Sequence, residues 1–121
     1  MAVDFVSFTG HRDRLALETE LDRVRESFRG AVWVHGGAVG FDSQVATYAR
    51  RHQIRCVVVP PAYVGTQDRE APLIRNKVIV NASDVLIACW DGRAAGGTAF
   101  TVRYAESLGK RVIRLALAEV E

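Results

Sequence analysis

The sequence lacks an apolar run long enough to cross a bilayer, and it has no low-complexity segment typical of a disordered tail or linker. The N-terminal stretch MAVDFVSF carries Asp4 early and has no basic region before its apolar residues. That pattern predicts a strand and not a signal peptide. We therefore expect a cytoplasmic protein with no membrane partner.

Cysteine and lysine are scarce. Cys56 and Cys89 lie in the apolar runs RCVVV and VLIACW, which predicts reduced thiols in buried strands, and no spacing suggests a metal site. Only Lys77 and Lys110 are lysines, so arginine carries most of the positive charge. The formal net charge of +2 gives little support for nucleic-acid binding, for which a strong basic stripe is expected.

Three well-known motifs are also missing. The stretch GGAVGFD lacks the G-x-G-x-x-G spacing of the dinucleotide fingerprint, which in addition would follow the first strand. No G-x-x-x-x-G-K-[ST] occurs, which argues against a P-loop ATPase, and no G-x-S-x-G elbow is present.

What the sequence does contain is a regular alternation of strands and helices. With 121 residues it is long enough for one domain, residues 1–121, with a single core. The predicted strands are Val3–Phe8, Ala31–Val34, Ile54–Val59, Asp84–Cys89 and Arg111–Leu117, and the predicted helices are Leu15–Phe28, Phe41–Arg51, Leu73–Ala82 and Thr98–Leu108. Unbroken apolar strands are expected where both sheet faces are covered, so we predict a three-layer α/β fold with a mainly parallel sheet of about five strands. In the third helix Ile74, Val78 and Ala82 are expected to face inward.

Three loops with unusual residues each follow a strand: TGHR, HGGAVGFD and WDGRAAGGT. Ligands of such folds bind beyond the carboxyl ends of the strands, so these loops should line one edge of the sheet. Thr9, Gly10, His11 and Arg12 form the first loop, in which His11 could contact a base or phosphate, act as an acid or base, or be an ordinary polar loop residue.

The second loop brings Gly36, Gly37 and Gly40 to the start of a helix. Glycine lets a ligand approach the backbone closely, and a helix start offers free N–H groups and a partial positive charge, which together suit an anion. Asp42 in the first helical turn could cap those N–H groups or accept a hydrogen bond from a ribose hydroxyl.

The third loop repeats this arrangement, since Gly96 and Gly97 open the last helix and Thr98 could cap it or donate to a phosphate. Two such loops at one edge favour a phosphate-bearing ligand. A loop of roughly ten residues after Pro60-Pro61 is long for a compact domain and also suggests function.

The order and spacing of TGHR, HGGAVGFDSQVA, the Arg75-Asn76 pair and ASDVLIACWDGRAAGGTAFTVRYA resemble the SLOG superfamily, which includes the Smf/DprA DNA-processing proteins and the Lonely Guy hydrolases. The small stand-alone YspA-like and YAcAr-like proteins are the most similar branch. The resemblance implies a Rossmann-like sheet, a nucleotide or nucleotide-derived ligand and a homodimer or higher oligomer. It also implies that Arg75 and Asn76 approach the ligand, and that Gly96, Gly97 and Thr98 bind its phosphate.

One difference from the Lonely Guy pattern concerns catalytic activity. Lonely Guy hydrolases carry a glutamate three places after the threonine of their phosphate loop, and Thr101 stands there in this chain. A carboxylate would stabilise the oxocarbenium-like state of N-glycosidic cleavage, and only Asp42 or Asp91 could substitute. We therefore expect a nucleotide sensor or carrier without a cofactor or metal. The alternatives are a nucleotide or nucleotide-sugar hydrolase and, less favoured, a DNA-binding protein.

Overall fold

The computed structural model describes residues 2–63 and 70–119. Its elements follow the predicted alternation. The strands are β1 (Phe5–Gly10), β2 (Val32–His35), β3 (Cys56–Val58), β4 (Val85–Cys89) and β5 (Arg111–Arg114). The helices are α1 (Glu18–Ser27), α2 (Phe41–Arg51), α3 (Ala71–Asn81) and α4 (Gly97–Ser107). All nine predicted elements are present with the predicted type, and α2 has the predicted bounds.

The five strands form one parallel sheet in the order β3-β2-β1-β4-β5. The order reverses between β1 and β4, so the connections before and after this point cover opposite faces of the sheet. The fold is thus three-layered and Rossmann-like, as predicted. The reversal point lies where β1 and β4 end side by side, Gly10 against Cys89, and such a point is where open parallel sheets usually bind ligands.

Two apolar clusters fill the two sheet faces. On the side of α1 and α2, Phe8 and Trp33 meet at a ring-centroid distance of 4.6 Å, and Trp33 stacks on Tyr48 at 5.5 Å. The smaller cluster on the side of α3 and α4 contains Leu86 and Val102. The larger cluster therefore holds most of the buried apolar surface, which is the main source of folding free energy.

The start of α1 differs from the prediction by one helical turn. The periodic pattern begins at Leu15, but the helix begins at Glu18 because the residues before it are extended. Ala16 forms an antiparallel bridge with Leu117, which follows β5. The side-chain amide of Gln44 accepts from the Ala16 N–H at 2.9 Å and donates to its carbonyl at 2.7 Å. These long-range pairings override the local helical pattern.

The predicted orientation of α3 is wrong. Ile74, Val78 and Ala82 are exposed, and the buried residues of this helix are Ala71, Ile79 and Val80. Apolar residues occur on both sides of this helix, so periodicity alone could not select the inner face.

The third strand is also less buried than its apolar sequence predicts. It is an edge strand, and Val57 and Val58 are 47% and 51% exposed.

Cys56 is half-buried, whereas Cys89 is fully buried in central β4, as predicted, and burial raises the pKa of its thiol to about 12. Both are free thiols.

Tyr48 is expected to make the free energy of unfolding fall at alkaline pH. Its hydroxyl donates to Asp22 at 2.5 Å, and burial together with Asp22 raises its pKa to about 12. An unfolded tyrosine loses its proton near pH 10, so the wild type should lose about 1–2 kcal/mol of stability as pH rises from 10 to 12, relative to Tyr48→Phe. Urea unfolding of both proteins across this range measures the difference. A difference that stays constant with pH would contradict the expectation.

Candidate functional site

A cavity of about 480 Å³ opens at the carboxyl edge of the sheet, where β1 and β4 end. All three predicted loops contribute to it, and α3 forms one wall. Eleven of the thirteen predicted ligand-binding residues line it: Thr9, Gly10, His11, Arg12, Gly36, Asp42, Arg75, Asn76, Gly96, Gly97 and Thr98. The remaining two, Gly37 and Gly40, lie outside the lining. The structure therefore places most of these residues around one space.

The first turn of α4 presents free backbone donors to this cavity. Gly96 precedes the helix with φ 103° and ψ 174°, and no side chain of the described residues caps the helix. Within residues 2–63 and 70–119, no acceptor receives the N–H groups of Gly97, Thr98 or Ala99. Helix-start N–H groups without partners, together with the helix dipole, form a site that suits an anion.

The head of α2 is arranged differently, because the protein itself accepts three of the nearby N–H groups. The N–H of Phe41 donates to the His11 carbonyl at 3.2 Å. The Gly37 N–H donates to His35 Nδ1 at 3.0 Å, and the Ala38 N–H donates to Asp42 Oδ2 at 3.1 Å. Asp42 therefore holds the preceding loop and does not cap the helix, whose N-cap position is Gly40. In α2 the N–H of the first helical residue is thus occupied, whereas in α4 the first three N–H groups all lack a described acceptor.

Gly37 and Gly40 shape the loop instead of lining the cavity. Gly40 has φ 83°, and a Cβ there would meet the carbonyl oxygens of His11 and Arg12. Gly37 has φ 75°, and its Cβ would lie 2.8 Å from Val58. Both positions require a backbone conformation that side chains disfavour, so these glycines position the loop between β2 and α2.

A buried acid and a buried histidine lie at the α2 side of the site. Asp42 lines the cavity and is 7% exposed, while His35 at the end of β2 is 2% exposed. Burial raises the pKa of Asp42 and lowers that of His35, so burial favours the neutral form of each. Asp42 Oδ1 and His35 Nε2 are both buried and have no hydrogen-bond partner among the described residues.

Arg75 and Asn76 connect α3 to the other loops. The Arg75 guanidinium donates through Nη1 to the Gly36 carbonyl at 2.5 Å, and through Nε to Asn76 Oδ1 at 2.7 Å. Asn76 Nδ2 donates to the Thr101 hydroxyl at 2.9 Å, and that hydroxyl donates to the Gly97 carbonyl at 2.7 Å. A chain of hydrogen bonds thus links the loop after β2 to the first turn of α4. Thr101, at the position of the Lonely Guy glutamate, belongs to this chain.

The rim of the cavity carries a second polar network. His11 is buried, and its Nε2 accepts the Asp91 N–H at 3.2 Å. Burial lowers the pKa of His11, and the nearby Arg93 lowers it further. Arg93 forms a fork on the Asp91 carboxylate with distances of 2.5 to 3.0 Å, and these bonds hold the pKa of Asp91 well below its usual range. Asp91 is therefore a paired anion joining the loops after β1 and β4, and it does not line the cavity.

Arg12 is the remaining predicted residue of the cavity. Arg12 is exposed, lines the cavity and forms no ion pair within the part of the chain that the structure describes. Trp90 lies outside the lining; its Nε1 donates to the Arg93 carbonyl at 3.0 Å, and Arg114 lies over its ring. Tyr63 is 59% exposed. The long loop after Pro60-Pro61 lies largely outside the described residues.

The sequence prediction did not include Arg93 and Thr101 among the ligand-binding residues, although both line the cavity. His35, which the sequence allows to be a buried, hydrogen-bonded histidine, is buried and accepts the Gly37 N–H. Arg93 stands within the quoted loop WDGRAAGGT, so its position after a buried strand was an available signal. His35 accepts the N–H of a residue only two positions further along the chain, so the glycines that follow it were a local signal.

Within the described ranges, no group of three or more histidine, cysteine, aspartate or glutamate side chains could hold a metal ion. The same ranges contain no helix that is long and apolar enough to cross a membrane.

The parallel sheet, its reversal point and the glycine loops define a Rossmann-like α/β protein with a site at the carboxyl edge. The model of the YspA, cpYpsA-related SLOG family matches residues 5–63, which contain β1, β2, β3 and the first two loops of the site. This match supports membership of the SLOG superfamily, which the motifs predict. Neither the curated proteins nor the solved structures give a significant match.

Proposed function

We propose that the protein binds a nucleotide or nucleotide-derived ligand in the edge cavity, with a phosphate at the first turn of α4, and acts as a sensor or carrier. The observation that carries this proposal is the set of three N–H groups at Gly97, Thr98 and Ala99 that lack acceptors within the described chain. A phosphate oxygen is the acceptor that such a helix start accommodates best.

Charge and space around this turn support the proposal. Arg12 lies on the rim with its guanidinium free of the described carboxylates, so it is able to pair with an anion. The Thr98 hydroxyl is beside the free N–H groups, and the hydrogen bond from Thr101 to Gly97 fixes that turn. The cavity volume of about 480 Å³ is within the range of about 300–1,000 Å³ typical of small-molecule sites.

Arg75 contributes to this site mainly by holding it together. Its Nε and Nη1 donate to Asn76 and Gly36, so most of its fork is engaged within the protein. We therefore assign the role of phosphate ligand to the α4 turn and Arg12, and the role of positioning the loops to Arg75.

Calorimetric titration with matched nucleosides and nucleoside 5′-phosphates tests the proposal. We expect at least one nucleotide to bind, while its nucleoside binds at least tenfold more weakly, because the phosphate supplies charge-assisted hydrogen bonds. The bound nucleotide should also raise the unfolding temperature, since ligand at 100 times its Kd stabilises a protein by about 2.7 kcal/mol. Equal affinity for nucleoside and nucleotide, or binding of neither, would rule the proposal out.

A second candidate function is hydrolysis of an N-glycosidic bond in a nucleotide or nucleotide-sugar. Asp42 favours it, because a carboxyl group in the cavity with a raised pKa could protonate a leaving base. Asp91 is a poor substitute since Arg93 holds its carboxylate outside the lining. Chromatography of nucleotides incubated with the protein distinguishes the two functions: free base indicates a hydrolase, and unchanged nucleotide indicates a binding protein.

We also propose that two copies of the chain associate through α3. Ile74, Lys77, Val78 and Asn81 form an exposed stripe on that helix, and Ile74 and Val78 are 52% and 50% exposed. Neighbouring exposed apolar side chains that form one patch are a feature of protein–protein interaction sites. Light scattering should give a dimer mass for the wild type and a monomer mass for Val78→Lys. The control Val39→Lys, exposed on the loop before α2, should remain dimeric; a monomeric wild type would contradict the proposal.

The low net charge of +2 continues to argue against a nucleic-acid partner. A cytoplasmic location remains a prediction from the sequence.

A further inference from the structure

A second cavity, of about 320 Å³, opens at the edge of the sheet opposite the candidate site. We name it the amino-edge pocket, because the residues just before β2 and β3 line it together with the ends of α1 and α2. Three arginines line it, Arg25, Arg29 and Arg55, and no described aspartate or glutamate does. No residue lines both this pocket and the cavity at the carboxyl edge. The amino-edge pocket is therefore a separate space with positively charged walls.

Two of the three guanidinium groups have no carboxylate partner in the part of the chain that the structure describes. Arg29 donates to both carboxylate oxygens of Glu26, at 2.8 and 2.7 Å, so its charge is balanced. Arg25 and Arg55 form no ion pair within residues 2–63 and 70–119. Guanidinium groups stay charged in proteins, so two uncompensated positive charges line the pocket.

His52 holds Arg25 in place without cancelling its charge. Arg25 Nη1 lies 2.5 Å from His52 Nδ1. A guanidinium can only donate, so His52 Nδ1 is the acceptor and carries no proton. The Arg25 guanidinium also lies 5.8 Å from the centre of the Tyr48 ring, against which His52 packs at a centroid distance of 4.2 Å. A cation that is positioned before its ligand arrives loses little conformational entropy when the ligand binds.

The helix dipoles at this pocket offset only part of the positive charge. Both α1 and α2 end here, and each helix C-terminus carries about half a negative charge. Basic residues often stabilise such helix ends. The charges of Arg25 and Arg55 together exceed the two half charges, so an excess of roughly one positive charge remains for a ligand.

The size and the walls of the pocket favour a compact anion over a nucleotide. Its volume is at the lower limit of the range of about 300–1,000 Å³ typical of small-molecule sites. Trp33 is only 1% exposed, and Arg111 lies over the ring of Phe28, so little aromatic surface is open for a base to stack on. Arginine binds the oxygens of phosphate and carboxylate groups equally well in geometry, with paired hydrogen bonds.

We propose that the amino-edge pocket binds a small multivalent anion, whose phosphate or carboxylate groups pair with Arg25 and Arg55. Both side chains line the same small cavity, so one anion with more than one charged group can contact both. This site is independent of the proposed nucleotide site, because the two cavities share no residue and lie at opposite edges of the sheet.

Amide NMR of ¹⁵N-labelled protein, titrated with pyrophosphate and separately with citrate, tests the proposal. The titration is done at about 0.15 M salt, where weak attraction between exposed charges is screened. We expect at least one anion to shift the amide signals of Gly30, Gln53 and Arg55 to saturation, since these residues line the pocket. The anion that binds identifies the preferred group, phosphate or carboxylate. If neither anion shifts these signals, or if only the amides at the head of α4 respond, the proposal is wrong.

Two variants and a control assign the binding to the arginines. Arg25→Gln and Arg55→Gln should each weaken the binding of the anion about tenfold or more, because hydrogen bonds to a charged group are lost. Arg23→Gln removes the same charge from α1, but Arg23 is 82% exposed and lies outside the pocket, so affinity should stay within about twofold.

Arg25→Gln also removes the bond to His52, and thermal unfolding shows whether this variant still folds. If it does not, Arg55→Gln decides, since Arg55 forms no ion pair with the described residues. Unchanged affinity in Arg55→Gln, or an equal loss in Arg55→Gln and Arg23→Gln, would overturn the proposal. The second result would mean that the net charge of the protein attracts the anion and that no specific pocket is involved.

Discussion

Replacing Gly40 with alanine is expected to destabilise the fold by about 3–4 kcal/mol, a large part of the 5–15 kcal/mol that holds a typical domain together. Gly40 has φ 83° and ψ −123°, a conformation that costs a side chain about 1–3 kcal/mol. A Cβ there would also lie 2.6 Å from the His11 carbonyl oxygen and close to that of Arg12. Those atoms are backbone, so they cannot move aside as a flexible side chain would, and overpacking adds about 1–3 kcal/mol.

Gly109→Ala is the matched control for this prediction. Gly109 follows α4 with φ 71°, and no atom of the described residues lies within 4 Å of its added Cβ. It should therefore lose only the conformational term of about 1 kcal/mol. Urea denaturation of both variants measures the two losses. Similar losses for Gly40→Ala and Gly109→Ala would show that the loops after β1 and β2 do not pack as tightly as described.

Gly97→Pro is expected to weaken nucleotide binding about tenfold to a hundredfold, because it removes one of the free N–H donors at the head of α4. A hydrogen bond to a charged group contributes about 1.5–3 kcal/mol. Proline suits the first position of a helix, where its N–H has no intrahelical partner. The preceding Gly96 has ψ 174°, an extended value that is compatible with a following proline. The substitution therefore removes a donor while retaining the helix.

Gly97→Ala controls for the added bulk in this experiment. It keeps the N–H, and its Cβ would lie 3.9 Å from Asn76 Nδ2, an ordinary contact. Calorimetry should show affinity within about threefold of the wild type for alanine and the large loss for proline. If both variants keep the affinity of the wild type, the Gly97 N–H does not contact the ligand. If both variants lose affinity to the same extent, the added bulk at this turn is the cause, and the N–H is not.

The sequence predicted the fold well because its strands are short apolar runs bounded by glycine or proline. Phe41–Arg51 was placed correctly since Gly40 and the helical periodicity agree there. The inner face of α3 was predicted wrongly, because Ile74 and Val78 compete with Ile79 and Val80 for burial. Only the packing of α3 against α4, which no local pattern records, decides between them.

The sequence predicted which loops form the candidate site, but it did not predict the hydrogen bonds within them. Parallel strands end at one edge, so three glycine loops after β1, β2 and β4 had to approach one another. How many N–H groups a helix start leaves without an acceptor depends on partners from distant elements. The His11 carbonyl occupies the Phe41 N–H, whereas no described group occupies the Gly97 N–H. Asp42 likewise binds the Ala38 N–H instead of capping its own helix.

The most direct test of the central claim is amide NMR of ¹⁵N-labelled protein titrated with a nucleotide and with its nucleoside. A phosphate at the head of α4 predicts large downfield shifts of the Gly97, Thr98 and Ala99 amide protons with the nucleotide alone. The Gly37 and Ala38 amides, which already donate to His35 and Asp42, should shift much less. Unchanged α4 amides in the presence of saturating nucleotide, or the same shifts with the nucleoside, would contradict the claim.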